Sequence, residues 1–570
     1  MPITPAPSQP GSVPRPPRRL AIIGAVAAGT SVGAKARRND EVIEIVVYDR
    51  NRDISYSGCG IPYYVGGQVH DAGELHPRNP AWFAKRYNMD IRTGHEVIAV
   101  DHQTRTLRVR DLATGTELTD TYDTLVLATG ARSIIPPIPG VQTPGVFTVR
   151  NVQNAEAIRS WVLNRHPTKA VVVGSGFIGL EMAEQLTESG MQVTMVERLP
   201  QVMPALDTDM AFRVQEELVR HGVGVRVSST VTAIEADNDS VVGVRLDTGE
   251  VLAADLVILS VGVRPDTDLA LQVGADLGPT GAIKVDHQMR TSVDGVYAVG
   301  DAAESYSLIT GAPLWRPLGS TANKMGRIAG DVITGGTLAH RGILGTGIVR
   351  VFDLAVAHTG LTETEAKAQG FDIVVIHNIK PAHATYLGGR ELIIKAIAER
   401  SSGRLLGAQA TGPQGVDKRI DVLATAISFG ALAEDLFHLD LAYSPPFATT
   451  KDPVHYTGMA LANAIDGTAP LITPSDLDAR LHAGEAIQIV DVRSAKDYAK
   501  SHVPGAVNIP LADLRDRVDE LDANTATVTY CNKGVSGNAG QNILLRHGFA
   551  TVFDLSGGNS NYQTHQRTIL

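Results

Sequence analysis

The stretch Lys169-Ala170-Val171-Val172-Val173-Gly174-Ser175-Gly176-Phe177-Ile178-Gly179 sets the architecture of this chain. After Lys169, four residues of small or β-branched apolar character, Ala170 to Val173, predict a strand buried on both faces, as in a parallel sheet. The three glycines that follow allow a tight turn, close approach of the backbone to a ligand, and close packing of the next helix. A helix is expected from Leu180, then a strand over 192–196, and Glu197 closes that strand. Strand, glycine turn, helix, strand, acid is the order of a dinucleotide-binding unit, in which a pyrophosphate rests on the helix N-terminus. Gly174, Gly176, Ile178, Gly179 and Glu197 are therefore assigned to a nicotinamide dinucleotide. The acid at Glu197 favours a free ribose hydroxyl and points to NADH, while Arg198 and Arg226 keep NADPH open.

Working outward, the same order occurs nearer the N-terminus. A strand over 19–23 leads into Gly24-Ala25-Val26-Ala27-Ala28-Gly29, then a helix through Arg38, a strand over 44–48, and Asp49. Val26 replaces the middle glycine of the usual pattern. Gly24, Ala27, Gly29 and Asp49 are assigned to a second adenine dinucleotide. Residues 121–130 form a strand ending in Ala128-Thr129-Gly130, and residues 291–301 one ending in Gly300-Asp301. These segments together resemble the two-dinucleotide-domain flavoprotein disulfide reductases. The resemblance implies FAD, with Asp301 holding its ribityl chain. Residues 347–409 are strand-rich, with a helix over 361–369 inside and another over 416–431 after. In that family such a segment is the dimer interface.

At 570 residues the chain has room for three or four domains, and abundant glycine with few aromatics suits a nucleotide-binding α/β enzyme. The formal net charge of −10 argues against nucleic-acid binding. Two cysteines build neither a disulfide framework nor a four-thiolate metal site, so no metal is expected and a reducing cytoplasm fits. No apolar run approaches the ~20 residues of a membrane span. Residues 1–17, rich in Pro and Ser, read as a disordered tail and not a signal peptide.

One of the two cysteines lies in Ser55-Tyr56-Ser57-Gly58-Cys59-Gly60-Ile61-Pro62-Tyr63-Tyr64. A lone thiol is either a packed core residue or, beside a redox cofactor, a nucleophile that is oxidised reversibly. A helix starting just after Cys59 would lower its pKa through the helix dipole. Glu181 is either a solvated helix residue or, as the resemblance to the flavoprotein disulfide reductases implies, a neighbour of the nicotinamide.

Four segments narrow the resemblance: SYSGCGIPYY itself, residues 383–389 (HATYLGG), 415–426 (GVDKRIDVLATA) and 442–453 (AYSPPFATTKDP). They resemble coenzyme A disulfide reductases, in particular the form fused to a rhodanese domain, some of whose members are NADH-dependent persulfide reductases. Position 64 is Tyr, so Cys59 has no partner cysteine five residues on, and its oxidised form must be a mixed disulfide, a persulfide or a sulfenic acid. The resemblance points to an adduct with coenzyme A. It carries Lys35, Arg38, Ser55, Asn323 and Arg327 onto coenzyme A contacts. Gly58 departs from the asparagine common at that place. Lys35, Arg37 and Arg38 alternatively complement the dipole at the end of the first helix. Tyr386 and Tyr443 resemble tyrosines that reach the thiol from the partner subunit of a homodimer, although either could serve as interface packing.

The C-terminal region is entered through Pro470 and Pro474. A strand over 487–491, the segment 502–510 (HVPGAVNIP), and a strand over 527–531 ending at Cys531 resemble a single rhodanese domain. In rhodaneses the loop after the cysteine curls its amides toward the sulfur. Here it is Cys531-Asn532-Lys533-Gly534-Val535-Ser536-Gly537, and Ser536 stands where many rhodaneses carry arginine.

The expectation is an α/β chain: two dinucleotide-binding, Rossmann-like domains, an α+β dimerisation domain, and a C-terminal α/β rhodanese domain. The FAD domain spans 18–150 and 284–345, the NAD(P)H domain 151–283, the dimerisation domain 346–467, and the rhodanese domain 471–570. The reaction expected is hydride transfer from NAD(P)H through flavin to Cys59, which reduces coenzyme A disulfide or coenzyme A persulfide. Cys531 would handle sulfane sulfur. An NADH oxidase or peroxidase using a Cys59 sulfenic acid, and a slow sulfur carrier or redox sensor, are the alternatives. The partners are small thiols, disulfides or persulfides, not nucleic acid or membrane.

Overall fold

The computed structural model describes residues 18–238 and 240–568. The disordered-tail expectation for 1–17 lies outside the described residues. Among the described residues, no helix is long and apolar enough to cross a membrane.

Arg19–Ile23 forms the centre of a five-stranded parallel sheet. Leu20, Ala21 and Ile22 are fully buried, which is why this strand reads as a continuous apolar run. Glu44–Asp49 and then Asp90–Thr93 lie on one side of it, Thr124–Leu127 and then Val296–Ala298 on the other. The return of the chain for Val296–Ala298 shows that the second nucleotide unit is inserted into the first. Each fully buried large aliphatic side chain here stabilises by roughly 1.5–3 kcal/mol relative to exposure.

The inserted unit repeats the plan. Lys169–Val173 is central, flanked by Gln192–Val196 and Gly224–Arg226 on one side and by Leu256–Leu259 and Val146–Thr148 on the other, all parallel. The edge strand Val146–Thr148 thus belongs to the second sheet, so that sheet begins ahead of residue 151. A three-residue strand carries no periodicity by which to place it.

Residues 347–412 build an antiparallel sheet in the order Gly347–Val351, Leu354–Gly360, Leu405–Gly412, Glu391–Glu399, Ile373–Pro381. The helix Val416–Ser428 packs against it, and Pro453–Ile465 covers its edge strand Ile373–Pro381. The C-terminal unit is a five-stranded parallel sheet, Leu471–Ile472, Val552–Leu555, Ala526–Tyr530, Ile487–Asp491, Val507–Asn508, with its own core around Val528 and Tyr530.

Candidate functional site

Both glycine turns sit at the carboxyl ends of central strands, where open α/β sheets bind ligands. Gly24 has φ +110°, and a Cβ on it would lie 2.1 Å from the Ala128 carbonyl oxygen. Gly174 has φ +99°, and a Cβ there would lie 2.5 Å from the Ser260 oxygen. The helices that follow, Ala27–Asn39 and Phe177–Glu188, start without any side-chain cap, which leaves their first amides for an anion. Gly176 faces open space where a Cβ would project. These features fit two dinucleotides. Ala27 and Ile178 lie in the first turns of the two helices, and Gly29 and Gly179 pack back against the turns themselves.

The two acids hold their own loops. Asp49 is buried and accepts from Ala25 N at 2.8 Å and Asn51 N at 2.8 Å. Burial pushes its carboxyl up, against those hydrogen bonds. Glu197 accepts from Ser175 N at 3.0 Å, Ser175 Oγ at 2.7 Å and Leu199 N at 2.9 Å. Arg226 pairs with Glu250 at 3.2 Å. Thr129 donates to the Asp266 carbonyl at 2.6 Å, and Gly130 takes φ +73°. Asp301 is paired with Arg150 at 3.1 Å, and Trp315 Nε1 donates to its carbonyl at 2.8 Å.

Cys59 lies between the two nucleotide units. Ser55 adopts φ +49° and its amide donates to the Ala25 carbonyl at 2.9 Å, tying the stretch to the first glycine turn. A 3-10 turn Gly58–Gly60 then runs into the helix Ile61–Val65, whose Ile61 and Val65 enter the core of the second unit with Leu180 and Ala183. The same helix places the Tyr63 hydroxyl 3.1 Å from Glu181 Oε1. Glu181 is pushed up to about 7, chiefly by burial. Cys59 is exposed, yet its thiol is pushed up by the surrounding protein, then by the charges of Glu181 and Asp301. The expected lowering by the helix dipole is therefore outweighed: a five-residue helix offers little dipole against burial of the thiol and, after it, two carboxylates. Glu181 and Tyr63 are the residues that sequence reasoning left without a joint role. Their signal was Tyr63, one helical turn after Cys59.

Of the five residues carried over for coenzyme A, Lys35, Arg38, Asn323 and Arg327 lie on two helices that cross, while Ser55 lies in the Cys59 stretch, tied to the first glycine turn. Gly326 and Gly330 of Gly319–Ile333 meet Ala27–Asn39 so closely that a Cβ on Gly326 would lie 2.4 Å from the Ala28 oxygen. Ser31 Oγ donates to Asn323 Oδ1 at 2.6 Å across this crossing. Lys35 is tied to Asp331 at 3.0 Å and donates to Asn39 Oδ1 at 2.9 Å. Arg38 is exposed, 6.0 Å from the Tyr87 ring, and Arg327 is exposed on the same rim. Arg37 is buried and donates to the carbonyls of Tyr87, Glu41 and Ile43, which makes it a structural clamp.

Tyr386 and Tyr443 are 78% and 51% exposed. The Ala384 amide donates to the Pro445 carbonyl at 3.1 Å, so the two tyrosine-bearing loops adjoin. Leu387 and Phe447 are exposed beside them.

Cys531 is buried, and its sulfur accepts from Gly534 N at 3.2 Å, where Gly534 takes φ +107° at the start of Val535–Arg546. The loop is held from behind: Asn559 N donates to the Cys531 carbonyl at 2.8 Å, and Arg493 Nη1 to Asn532 Oδ1 at 2.9 Å.

The fold and site define a class. Residues 18–314 match the Pyridine nucleotide-disulphide oxidoreductase family, 347–453 its dimerisation domain, and 473–565 the Rhodanese-like domain. The chain belongs to the pyridine nucleotide-disulphide oxidoreductases, with a C-terminal rhodanese domain. Among individual relatives, the NAD(P)H sulfur oxidoreductase (CoA-dependent) of Pyrococcus furiosus is 38% identical over 77% of this chain and 97% of its own length. The crystal structure of reduced Bacillus anthracis CoADR-RHD superposes with TM-score 0.93 at 37% identity, covering 96% of this chain and 98% of that one. The NAD-dependent persulfide reductase from A. fulgidus superposes with TM-score 0.88 at 37% identity, covering 95% and 100%.

Proposed function

We propose that this chain is an NAD(P)H-dependent flavoprotein that reduces coenzyme A disulfide or coenzyme A persulfide at Cys59, with Cys531 as a station for sulfane sulfur. The observation that carries the reading is a single cysteine, placed between two dinucleotide sites, with no second thiol in its loop. The first glycine turn, the Ala128-Thr129-Gly130 strand end and Asp301 hold FAD; the second turn and Glu197 hold NADH. Bound FAD supplies two-electron exchange between the nicotinamide and the sulfur. Glu197 favours a free ribose hydroxyl and so NADH, and Arg226 pairs with Glu250, while Arg198 keeps NADPH open.

The Cys59 thiolate attacks one sulfur of coenzyme A disulfide, and the other half leaves as a thiolate. Two electrons then cleave the Cys59–coenzyme A mixed disulfide and return the Cys59 thiolate with a second coenzyme A thiolate. Glu181 and Tyr63 form a proton store beside the sulfur, since Glu181 changes charge near neutrality. Arg38, Arg327, Asn323, Ser55 and the helix-crossing rim receive the polyanionic substrate, with Lys35 charge-balanced by Asp331. The exposed edge at Tyr386, Leu387, Tyr443 and Phe447 is the surface that pairs two subunits, with the phenols reaching the other subunit's Cys59. A soluble cytoplasmic homodimer is the form proposed.

Anaerobic NADH oxidation with coenzyme A disulfide, coenzyme A persulfide or peroxide as acceptor, each against Cys59→Ser, tests this reading. Turnover with a coenzyme A substrate that vanishes in the variant is expected. Turnover with peroxide alone would establish the oxidase or peroxidase alternative instead.

A further inference from the structure

The acid and phenol beside Cys59 are held by a third domain. The 3-10 turn Gly58–Gly60 runs directly into Ile61–Val65, so Tyr63 follows Cys59 by one helical turn and shares its face. The Tyr63 phenol donates to Glu181 Oε1 at 3.1 Å. A tyrosine on a helix has more than one rotamer, and one hydrogen bond of this length does not fix the choice. Arg350 fixes it. Arg350 lies on Gly347–Val351, the edge strand of the antiparallel sheet, between Val349 and Val351, which enter the same core as Ile61, Val65 and Leu180.

The Arg350 side chain reaches round that edge. Its Nε and Nη2 donate to Glu184 Oε1 at 2.9 and 2.7 Å, and its Cζ stands 5.5 Å from the centre of the Tyr63 ring. A guanidinium at that separation is attracted to an aromatic face. Glu184 is 1% exposed, and its other oxygen accepts from the Phe352 amide at 2.6 Å, so this acid is fixed by the dimerisation sheet and fixes the guanidinium in turn. Glu184 follows Glu181 by three residues on Phe177–Glu188, which packs against Gly347–Val351. The same groups act on Glu181: burial raises it most, the Tyr63 hydrogen bond lowers it, Glu184 raises it and Arg350 lowers it, leaving it at about 7. Burial, then Glu181 and Asp301, raise the Cys59 thiol.

We propose that Arg350, from the dimerisation domain, is a positioning residue for the reaction at Cys59: anchored by Glu184, it holds the face of Tyr63 so that the phenol stays on Glu181. Arg350 acts through Tyr63. The pH at which Glu181 gains or gives up its proton is thereby set by how the dimerisation sheet is seated on Phe177–Glu188. The part this plays in proton supply rests on the reading of Cys59 given above; the hold of Arg350 on Tyr63 does not.

The test uses full-length holoenzyme carrying Cys531→Ser, kept reduced under anaerobic conditions, so that Cys59 is its only thiol. The logarithm of its iodoacetamide alkylation rate rises with pH and bends where Glu181 gains its charge, because that charge disfavours the thiolate. Glu181→Gln should abolish the bend. Tyr63→Phe, which removes a hydrogen bond to the charged carboxylate, should move the bend up by about one pH unit. Arg350→Met is made together with Glu184→Gln, so that no buried acid is left unpaired and two opposite charges near Glu181 leave together. This pair should move the bend up by the same amount, and adding Tyr63→Phe should then move it no further. Retained flavin absorbance reports that each variant is folded. A Tyr63→Phe shift of full size in the pair variant would overturn the proposal. If the pair variant loses its flavin, a Tyr63→Phe shift of full size in Arg350→Lys, which keeps Glu184 paired without the planar guanidinium, would overturn it instead. A parent profile with no bend would overturn it as well. Failure of the parent to oxidise NADH with coenzyme A disulfide, with the bend in place, would sink the substrate reading and leave the role of Arg350 decided by the bends.

Discussion

Cys59 gains its meaning from its neighbours more than from its flanking glycines. Glu181, pushed up to about 7, faces the thiol as a neutral acid below neutrality and as an anion above it. Replacing it by Gln removes a charge that raises the thiol pKa. The pH midpoint of Cys59 alkylation in Glu181→Gln should therefore fall, by several tenths of a unit to about one unit; a rise would show that the carboxylate is not coupled to the sulfur. The cysteine was legible because thiols are so scarce in this chain. Glu181 was only half legible: the family resemblance implies a place near a nicotinamide, but nothing in the sequence says that a tyrosine from another segment caps it.

At the scale of elements, the two strand–glycine turn–helix units were legible because a buried parallel strand and a glycine turn leave strong local patterns. The crossing of Ala27–Asn39 with Gly319–Ile333 was not. Gly326 and Gly330, four apart, announce a close approach but not the helix approached. A Cβ on Gly330 would lie 2.5 Å from the Val32 carbonyl oxygen, a backbone atom that cannot step aside. Gly330→Val should separate the two helices, destabilise the first unit by about 1–3 kcal/mol, and lower the flavin content of purified protein. Thermal unfolding and flavin absorbance measure both; full retention of each would mean that the crossing tolerates bulk. The short helix Ile61–Val65 shows the opposite limit. A helix starting after Cys59 is expected to act through its dipole, but the thiol is governed first by burial and then by carboxylates from Phe177–Glu188 and the Gly300–Asp301 turn.

Across the whole molecule, Lys395 fastens units that the sequence shows only as separate. It is 2% exposed and lies 3.1 Å from Asp207, 2.9 Å from Asp209 and 2.8 Å from Glu363. His377 bonds Asp209 on one side and Ser556 of the rhodanese unit at 2.9 Å on the other. Burial opposes the charge of Lys395, but Asp209, Asp207 and Glu363 outweigh it and hold the ammonium above its usual range. Burial likewise opposes Asp209, and Lys395 and His377 outweigh it and hold that carboxyl well below the usual range. Lys395→Met removes the buried ammonium that three carboxylates share and should cost about 3–5 kcal/mol, with the domains unfolding in separate transitions by calorimetry. A single unchanged transition would contradict this. Because the folded pKa of Asp209 is depressed, its contribution is complete above the unfolded value of about 4 and is lost as pH falls below it. Denaturant midpoints should therefore decline below that pH, less steeply in Asp209→Asn. No local pattern could reveal this cluster, since its members are more than 150 residues apart in places.

The central claim is that Cys59 alone exchanges electrons with a sulfur of the substrate. Intact-mass analysis of the holoenzyme after anaerobic treatment with coenzyme A disulfide, before and after NADH, tests it most directly. The account predicts a single coenzyme A adduct located on Cys59, removed by NADH and missing from Cys59→Ser. An adduct confined to Cys531, or one on Cys59 that survives NADH, would contradict it.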